Sequence, residues 1–246
     1  MLHHSAVAGP LHSLLQAMRN GWRPLLDDAT VLAFGAIGWP WLLKSLGDGG
    51  AAARADLLAR LDWPDEALPP LGSWRADAVM LGLLAHHIHA ARPRVVVEFG
   101  GGVSTLVAAR CLQQIGGGRL LSFDSHPDFA ADTRARLAAA ALEAEIVAAP
   151  LKASADWPGL WYDHGPLPDA IDLLLVDGPP WKIHPLTRGA AAHVFDRIAP
   201  GGTVMLDDAA RPGERLVARR WRREFPAFDF RMHEGPAGTL VGTRRA

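Results

Sequence analysis

The segment that decides the fold is Val95-Val-Val-Glu-Phe-Gly-Gly-Gly-Val-Ser-Thr-Leu-Val-Ala-Ala-Arg110. Its apolar start predicts a buried strand ending near Glu98, and the three glycines predict a turn before a helix that begins at Ser104. Such a turn brings backbone N–H groups and a helix N-terminus beside a ligand, and a glycine leaves no Cβ in the ligand's space. Glu98 disfavours a pyrophosphate at this place and favours a cationic ligand. The segment therefore predicts a nucleotide-like ligand with positive charge, for which S-adenosylmethionine is the obvious candidate.

The composition excludes several classes of protein. The chain has 246 residues, 49% of them hydrophobic, which is enough for one large domain or for one domain plus a small appendage. A net charge of −1 argues against a dedicated nucleic-acid binder. Cys111 is the one cysteine, so no intrachain disulfide is possible and a reducing compartment is compatible, and its spacing with Val107 predicts a place in the core. The sequence shows no secretory signal.

The chain divides into two regions. Residues 1–72 contain short helical patterns broken by glycine and proline, and we expect a helical N-terminal cap or extension. Residues 73–246 alternate strands with helices, and the boundary follows the double proline at 69–70. We expect the first region to cover the carboxyl ends of the strands and to restrict the acceptor. Its most apolar part, residues 31–43, predicts a buried segment, with a membrane-surface or dimer contact as the alternative.

The second region predicts an α/β fold with a doubly wound, mostly parallel sheet of seven strands. The last two strands are joined by a tight turn, so we expect an antiparallel hairpin. Helix–strand alternation implies crossovers and a sheet covered on both faces. The predicted strands are residues 94–99, 119–124, 145–148, 171–177, 203–207, 228–233 and 239–243, and the predicted helices are residues 51–61, 75–90, 104–114, 127–142, 185–198 and 212–224.

Acidic residues close four of the parallel strands. Ligands of such sheets bind at the carboxyl ends of the strands, so these side chains should meet in one crevice. Solubility alone does not explain acids at converging strand ends. The residues are Glu98, Asp124, Asp177, Asp207 and Asp208.

Several of these segments together resemble the class I S-adenosylmethionine-dependent methyltransferases. Val96-Val-Glu-Phe-Gly-Gly-Gly-Val-Ser-Thr-Leu106 resembles the first motif of that family, and Leu121-Ser-Phe-Asp124 the second. Asp172-Leu-Leu-Leu-Val-Asp-Gly-Pro-Pro180 resembles the fourth. Ala199-Pro-Gly-Gly-Thr-Val-Met-Leu-Asp-Asp208 is similar to the region of strand five. The resemblance covers about 70% of the chain and leaves out the N-terminal third.

The resemblance implies a cofactor site for S-adenosylmethionine. Gly100 and Gly102 would let its methionine part approach the turn. Ser104 and Thr105 would cap the helix or contact the ligand carboxylate. Asp124 would accept the ribose hydroxyls, with a capping role as its alternative. The set is completed by Glu98, which would orient the turn or the amino end of the ligand, and by Asp177.

Two other classes of function stay open. A nicotinamide-dependent oxidoreductase uses a similar turn, although the third glycine of its fingerprint is missing after Gly102, where Thr105 stands. A non-catalytic nucleotide-binding protein would keep the sheet without an acceptor site.

The acceptor side carries candidate metal ligands. Asp177, Asp207 and Asp208 offer three oxygen donors of the kind Mg²⁺ prefers, and a bound ion would lower the pKa of an acceptor hydroxyl. This resembles the catechol-type O-methyltransferases. The chain departs from them at Asp208, where they have asparagine, and at Pro180, where they have lysine. We expect Mg²⁺-independent transfer, with Arg211 binding the acids as the structural alternative.

Candidate bases lie in the loop beyond the fourth strand. Asp177, Lys182 and His184 could each accept the acceptor proton, although Lys182 and His184 also suit a surface and a structural role. Three aromatic residues of the preceding loop could stack on adenine, wall the acceptor site or simply pack, namely Trp157, Trp161 and Tyr162. We expect a cytoplasmic enzyme acting on a small molecule through oxygen, without nucleic acid or stable membrane insertion, and compatible with a homo-oligomer.

Overall fold

The structure is a computed structural model that describes residues 27–41, 43–44, 46–73 and 75–246. Its centre is a mostly parallel sheet of seven strands in the order β3-β2-β1-β6-β7-β9-β8. β7, β9 and β8 pair antiparallel, so the expected closing hairpin is confirmed. The strands are β1 (Val95–Phe99), β2 (Arg119–Asp124), β3 (Glu145–Ala148), β4 (Leu151–Ala153), β5 (Leu160–Tyr162), β6 (Ile171–Val176), β7 (Ile198–Leu206), β8 (Phe228–His233) and β9 (Thr239–Arg244).

Helices cover both faces of the sheet, as the alternating pattern predicts. The described helices are α1 (residues 27–41), α2 (Ala51–Leu61), α3 (Ala78–Ala91), α4 (Val103–Gln114), α5 (Pro127–Ala139) and α6 (Pro212–Glu224), with 3₁₀ helices at Asp65–Ala67 and Thr187–Arg197. Strand residues alternate between two cores because successive side chains point to opposite faces. Val97 and Phe99 lie in one core with Trp221, and Val96 lies in the other with Cys111.

Two local predictions are wrong. Residues 185–198 are not an α-helix, since Thr187–Arg197 is a 3₁₀ helix and Ile198 already belongs to β7. The apolar residues of this segment are spaced four apart, which favoured a long α-helix. Most of the segment is buried, so these residues are also buried in the 3₁₀ helix. The sequence pattern also missed β4 and β5, which pair antiparallel and have three residues each. Strands this short leave no readable alternation.

The N-terminal region lies in two places. Leu57 and Leu61 of α2 are buried in the same core as α3 and α4. Helix α1 instead contacts the loop after β6 and the first residue of α6, where a Cβ on Gly35 would lie 3.6 Å from the Trp181 ring and one on Gly38 would lie 3.8 Å from Pro212. Residues 1–26 of the predicted cap lie outside the described residues.

Helix α1 is not buried as predicted. Leu32, Ile37 and Trp39 are each more than half exposed, because only the side carrying Gly35 and Gly38 meets the loops beneath it. Among the described residues, no helix has the length and apolar character needed to cross a membrane.

Candidate functional site

A buried carboxylate supports the glycine turn. Glu98 is fully buried at the end of β1, where Oε1 accepts the Ser104 hydroxyl at 2.6 Å and Oε2 accepts the hydroxyls of Thr105 at 2.5 Å and Ser122 at 2.6 Å. Burial raises the pKa of Glu98, and the three hydroxyl donors oppose that shift. Both oxygens of Glu98 therefore have protein partners, which assigns this residue to holding the turn.

The hydroxyls at the start of α4 serve the same cluster. Thr105 Oγ1 also accepts the Gly102 N–H at 2.9 Å, so the threonine fastens the turn to Glu98. Ser104 is equally buried and donates to Glu98. These bonds fix the start of α4, and contact of either residue with a ligand carboxylate stays a prediction.

The glycines of the turn have different reasons to be glycine. Gly100 has φ of +95°, and a Cβ there would lie 2.8 Å from the Asp177 carbonyl carbon, so its space is taken by the loop after β6 and not by a ligand as we expected. Gly102 has φ of +156° with no atom within 4 Å of an added Cβ. Gly102 is thus the glycine of the turn that faces open space.

Asp124 closes β2 beside this turn. Its Oδ1 accepts the His126 N–H at 2.7 Å, an interaction that fixes the carboxylate at the strand end. Burial raises the pKa of Asp124, and the His126 N–H lowers it. Strand β2 pairs in parallel with β1, which sets Phe123 opposite Phe99 and brings Asp124 to the same edge as the glycine turn. This is the relative position that the sequence predicts for a ribose-binding carboxylate.

The three acids of the acceptor side do come together. Oxygen atoms of Asp177, Asp207 and Asp208 all lie within 4.8 Å of one another. Asp177 follows β6, and its side chain is 20% exposed, whereas the other two follow β7 and are buried. Asp177 N and Gly178 N both donate to Phe99 O, so this loop is bonded directly to the end of β1.

An arginine lies inside this acidic cluster. Arg188, from the 3₁₀ helix, is 4% exposed, and its Nη1 lies 3.0 Å from Asp208 Oδ2. Its Nη2 donates to the Asp177 carbonyl and lies 3.5 Å from Asp177 Oδ1. Arg211 binds the same Asp208 oxygen at 2.6 Å, as the structural alternative to a metal predicted. Sequence analysis missed Arg188, because an arginine in a predicted helix reads as an ordinary surface residue.

Burial sets the ionisation of the acids near Arg188. It raises the pKa of Asp177 to about 7, against the opposing charge of Arg188. Burial and the neighbouring Asp208 hold the pKa of Asp207 well above its usual range. Glu214, in the first turn of α6, has its pKa raised to about 7 by burial, and Arg188 and Arg211 oppose the rise.

The other two candidate bases lie in the loop after β6. Lys182 is exposed. His184 is buried, its Nδ1 accepts the Leu186 N–H at 3.1 Å, and its Nε2 lies 3.6 Å from Asp27 of α1. Burial lowers the pKa of His184, while Asp27 raises it. Because Nδ1 accepts a backbone N–H, only Nε2 of His184 could accept a proton from another group.

The aromatic residues before β6 are part of the core. Trp157 is buried over Gly189, where an added Cβ would clash with the indole ring, and the Arg220 guanidinium lies 4.0 Å from that ring. Trp161 and Tyr162 are buried too, with ring centroids 4.8 and 5.4 Å from Phe99. Packing is therefore the role that the structure shows for all three.

Comparisons with known proteins agree with this geometry. Residues 97–209 match the family model described as a methyltransferase domain, a range that runs from β1 to just beyond Asp208. No curated protein matches the chain in sequence.

Solved structures share the fold at low sequence identity. A methyltransferase of Podospora anserina, bound to SAH, has a TM-score of 0.54 and 12% identity over 80% of this chain and 90% of its own. An O-methyltransferase from Bacillus cereus in complex with SAH has a TM-score of 0.53 and 14% identity, covering 87% of this chain and 100% of its own. A putative O-methyltransferase from Klebsiella pneumoniae has a TM-score of 0.53 and 18% identity, covering 93% and 100%.

The sheet order, the turn after β1 and the family match agree on one class. Residues 97–209 of this chain match a methyltransferase domain, and the seven-stranded sheet that contains them has the methyltransferase fold.

Proposed function

We propose that this chain transfers the methyl group of S-adenosylmethionine to an oxygen atom of a small-molecule acceptor. The observation that carries the proposal is the turn itself, where Gly102 faces open space beside Asp124 while Glu98 holds the backbone from below. When bound, S-adenosylmethionine supplies an electrophilic methyl group on a sulfonium centre. A cationic ligand also suits the acids that close the neighbouring strands.

The cofactor residues have distinct roles in this proposal. Gly102 would let the methionine part approach the backbone, and Asp124 would accept the ribose hydroxyls with its carboxylate. Glu98, Ser104 and Thr105 would act through the shape of the turn, since their polar atoms already bond one another.

Two further residues connect the cofactor side to the acceptor side. Gly100 lets the loop after β6 approach the turn, because its Cβ space is filled by the Asp177–Gly178 backbone. Asp177 would therefore lie beside the cofactor, between it and the acceptor. The contact between Gly100 and the Asp177–Gly178 backbone thus fixes the distance between the glycine turn and the loop after β6.

Asp177 is the base that the geometry favours. Its side chain is partly exposed, and its backbone N–H is bonded to the end of β1, beside the turn. A carboxylate there can take the acceptor proton while the acceptor oxygen lies in line with the methyl group. Lys182 and His184 are the alternatives, and the buried His184 would act through Nε2.

Transfer to oxygen is supported by the names of the structural neighbours. The Bacillus cereus and Klebsiella pneumoniae proteins are named as O-methyltransferases, the second as a putative one. The acceptor is a small molecule in this proposal, with α1 forming one wall of its site where Gly35 and Gly38 face Trp181 and Pro212. A cytoplasmic location and assembly into a homo-oligomer stay predictions from the sequence.

Calorimetry with two cofactors tests the proposal. S-adenosylmethionine should bind one per chain, and NADH should produce no heat of binding. Incubation of the protein with isotopically methyl-labelled S-adenosylmethionine and a panel of phenols and alcohols should then yield a labelled methyl ether. Binding of NADH in place of S-adenosylmethionine would support the oxidoreductase alternative.

A further inference from the structure

We propose that the guanidinium of Arg188 is the resident cation of the Asp177–Asp207–Asp208 cluster, in the place that a divalent metal ion would need. The acceptor is then activated by protein groups alone. Only this last statement rests on the proposed function, because occupation of the cluster by Arg188 can be measured without any methyl transfer.

The first support is the position of the charge. Arg188 Nη1 lies 3.0 Å from Asp208 Oδ2, and Nη2 lies 3.5 Å from Asp177 Oδ1, so one planar group spans carboxylates from two loops. Guanidinium keeps its proton under all ordinary conditions. A divalent ion placed among the same oxygens would meet a fixed positive charge at close range in a buried setting, where solvent screens little.

The second support is that Arg188 is held by the backbone as well. Its Nε donates to Pro179 O at 3.2 Å, its Nη1 to Asp207 O at 3.1 Å, and its Nη2 to Asp177 O. These carbonyls belong to the loops that follow β6 and β7. Arg188 cannot swing away to admit an ion without leaving three backbone carbonyls unpaired, so it also fixes the two loops that form the floor of the acceptor side.

The third support is the second arginine. Arg211 Nη1 lies 2.6 Å from Asp208 Oδ2, the same oxygen that Arg188 binds. Asp208 is thus enclosed by two guanidinium groups. Asp207 Oδ1 is buried and has no hydrogen-bond partner among the described residues, so it could offer an ion one oxygen. Mg²⁺ requires near-octahedral oxygen ligands, and Asp208 Oδ2 is already bonded to both arginines.

Manganese binding tests the proposal directly, since Mn²⁺ replaces Mg²⁺ and its free form gives a strong electron paramagnetic resonance signal. The wild-type chain should leave the signal of added Mn²⁺ unchanged up to about tenfold excess of protein. Arg188→Met removes the charge at similar length, and the vacated acids should then bind Mn²⁺ at least tenfold more tightly than the wild type. Arg197→Met, from the exposed end of the same 3₁₀ helix, is the matched control and should behave as wild type.

Two results would overturn the proposal. The first is one Mn²⁺ bound per wild-type chain and lost in Asp177→Asn, which would show that the cluster takes a metal with Arg188 present. The second is a folded Arg188→Met that binds no more Mn²⁺ than the wild type, which would show that Arg188 does not hold a cation position. If Arg188→Met does not fold, the wild-type titration decides. Absence of S-adenosylmethionine binding would instead count against the proposed function and leave the Mn²⁺ result valid.

Discussion

The Ser122 hydroxyl donates to Glu98 Oε2 at 2.6 Å, which joins β2 to β1 directly beneath the glycine turn. The same carboxylate holds the first turn of α4 through Ser104 and Thr105. One buried acid thus aligns two strands and a helix N-terminus. The turn keeps its shape because each side chain that bonds Glu98 belongs to a strand or a helix of the fold.

Removal of this acid should destabilise the protein strongly. Glu98→Ala leaves three buried hydroxyls without an acceptor, and we expect a loss of about 3 kcal/mol or more in the free energy of unfolding. Glu98→Gln keeps one acceptor oxygen and should lose less. Urea unfolding measures both. Glu145→Ala breaks an exposed ion pair with Arg119 and should change stability by less than about 1 kcal/mol. Equal effects of the alanine variants at 98 and 145 would refute the structural role of Glu98.

The two glycines of the turn should separate folding from binding. Gly100→Ala places a Cβ 2.8 Å from the Asp177 carbonyl carbon at a positive φ, so we expect a protein that folds poorly or not at all. Gly102→Ala meets no atom within 4 Å and should fold, with a modest loss of stability. Its Cβ enters the space proposed for the cofactor, so S-adenosylmethionine affinity should fall roughly tenfold, or about 1.4 kcal/mol. Calorimetry that shows unchanged affinity in Gly102→Ala would move the cofactor away from this turn.

The contribution of Glu214 to stability should increase as the pH is lowered from about 8 to 6. The folded protein raises the pKa of Glu214 to about 7, above the unfolded value of about 4.3, because burial disfavours its charge. Between these values the folded state binds more protons than the unfolded state, so the free energy of unfolding falls as pH rises, by up to about 1.4 kcal/mol per pH unit for one group. Asp177 acts in the same direction.

Variants test the source of this pH dependence. Glu214→Gln cannot ionise, so its free energy of unfolding should fall less, or rise more, between pH 6 and pH 8 than that of the wild type. Glu143→Gln, on the exposed surface, should keep the wild-type slope. Thermal unfolding at several pH values measures it. A folded Glu214→Gln variant with the same slope as the wild type would contradict the assignment of this contribution to Glu214.

Asp177 should matter for turnover more than for cofactor binding. Asp177→Asn keeps the size of the side chain but cannot accept a proton, so we expect kcat to fall by about 10²–10⁴-fold. The S-adenosylmethionine dissociation constant should change much less. Rates with an acceptor found in the methyl-transfer panel measure this, and Lys182→Met, at an exposed side chain, is the comparison. A larger loss in Lys182→Met would assign the base to the lysine instead.

The glycine turn and the position of Asp124 could be predicted from the sequence because their signals are local. The apolar run before Glu98, the glycines and the acid at the end of β2 each follow from strand and turn chemistry within a few residues, and parallel pairing then brings Asp124 to the turn. We predicted that Gly100 leaves space for the ligand, whereas in the structure it leaves space for Gly178. That residue is 78 positions away in the chain, so no local pattern could indicate the contact.

The acceptor side was less predictable because its contacts are long-range. Arg188 reaches Asp208 across 20 residues and two elements, and nothing in its local pattern distinguishes it from other arginines. Strands β4 and β5 have three residues each, which is too short for alternation to show. The clustering of Asp177, Asp207 and Asp208 was predicted from strand ends, but the cation among them was not.

The most direct test of the central claim is calorimetric titration of S-adenosylhomocysteine into the wild type, Asp124→Ala and Asp128→Ala. We predict one site per wild-type chain and a loss of about 1–3 kcal/mol of binding free energy in Asp124→Ala, the range for hydrogen bonds to a charged group. Asp128 is exposed in the first turn of α5, so Asp128→Ala should bind S-adenosylhomocysteine as tightly as the wild type. No binding to the folded wild type, or full affinity in folded Asp124→Ala, would contradict the account.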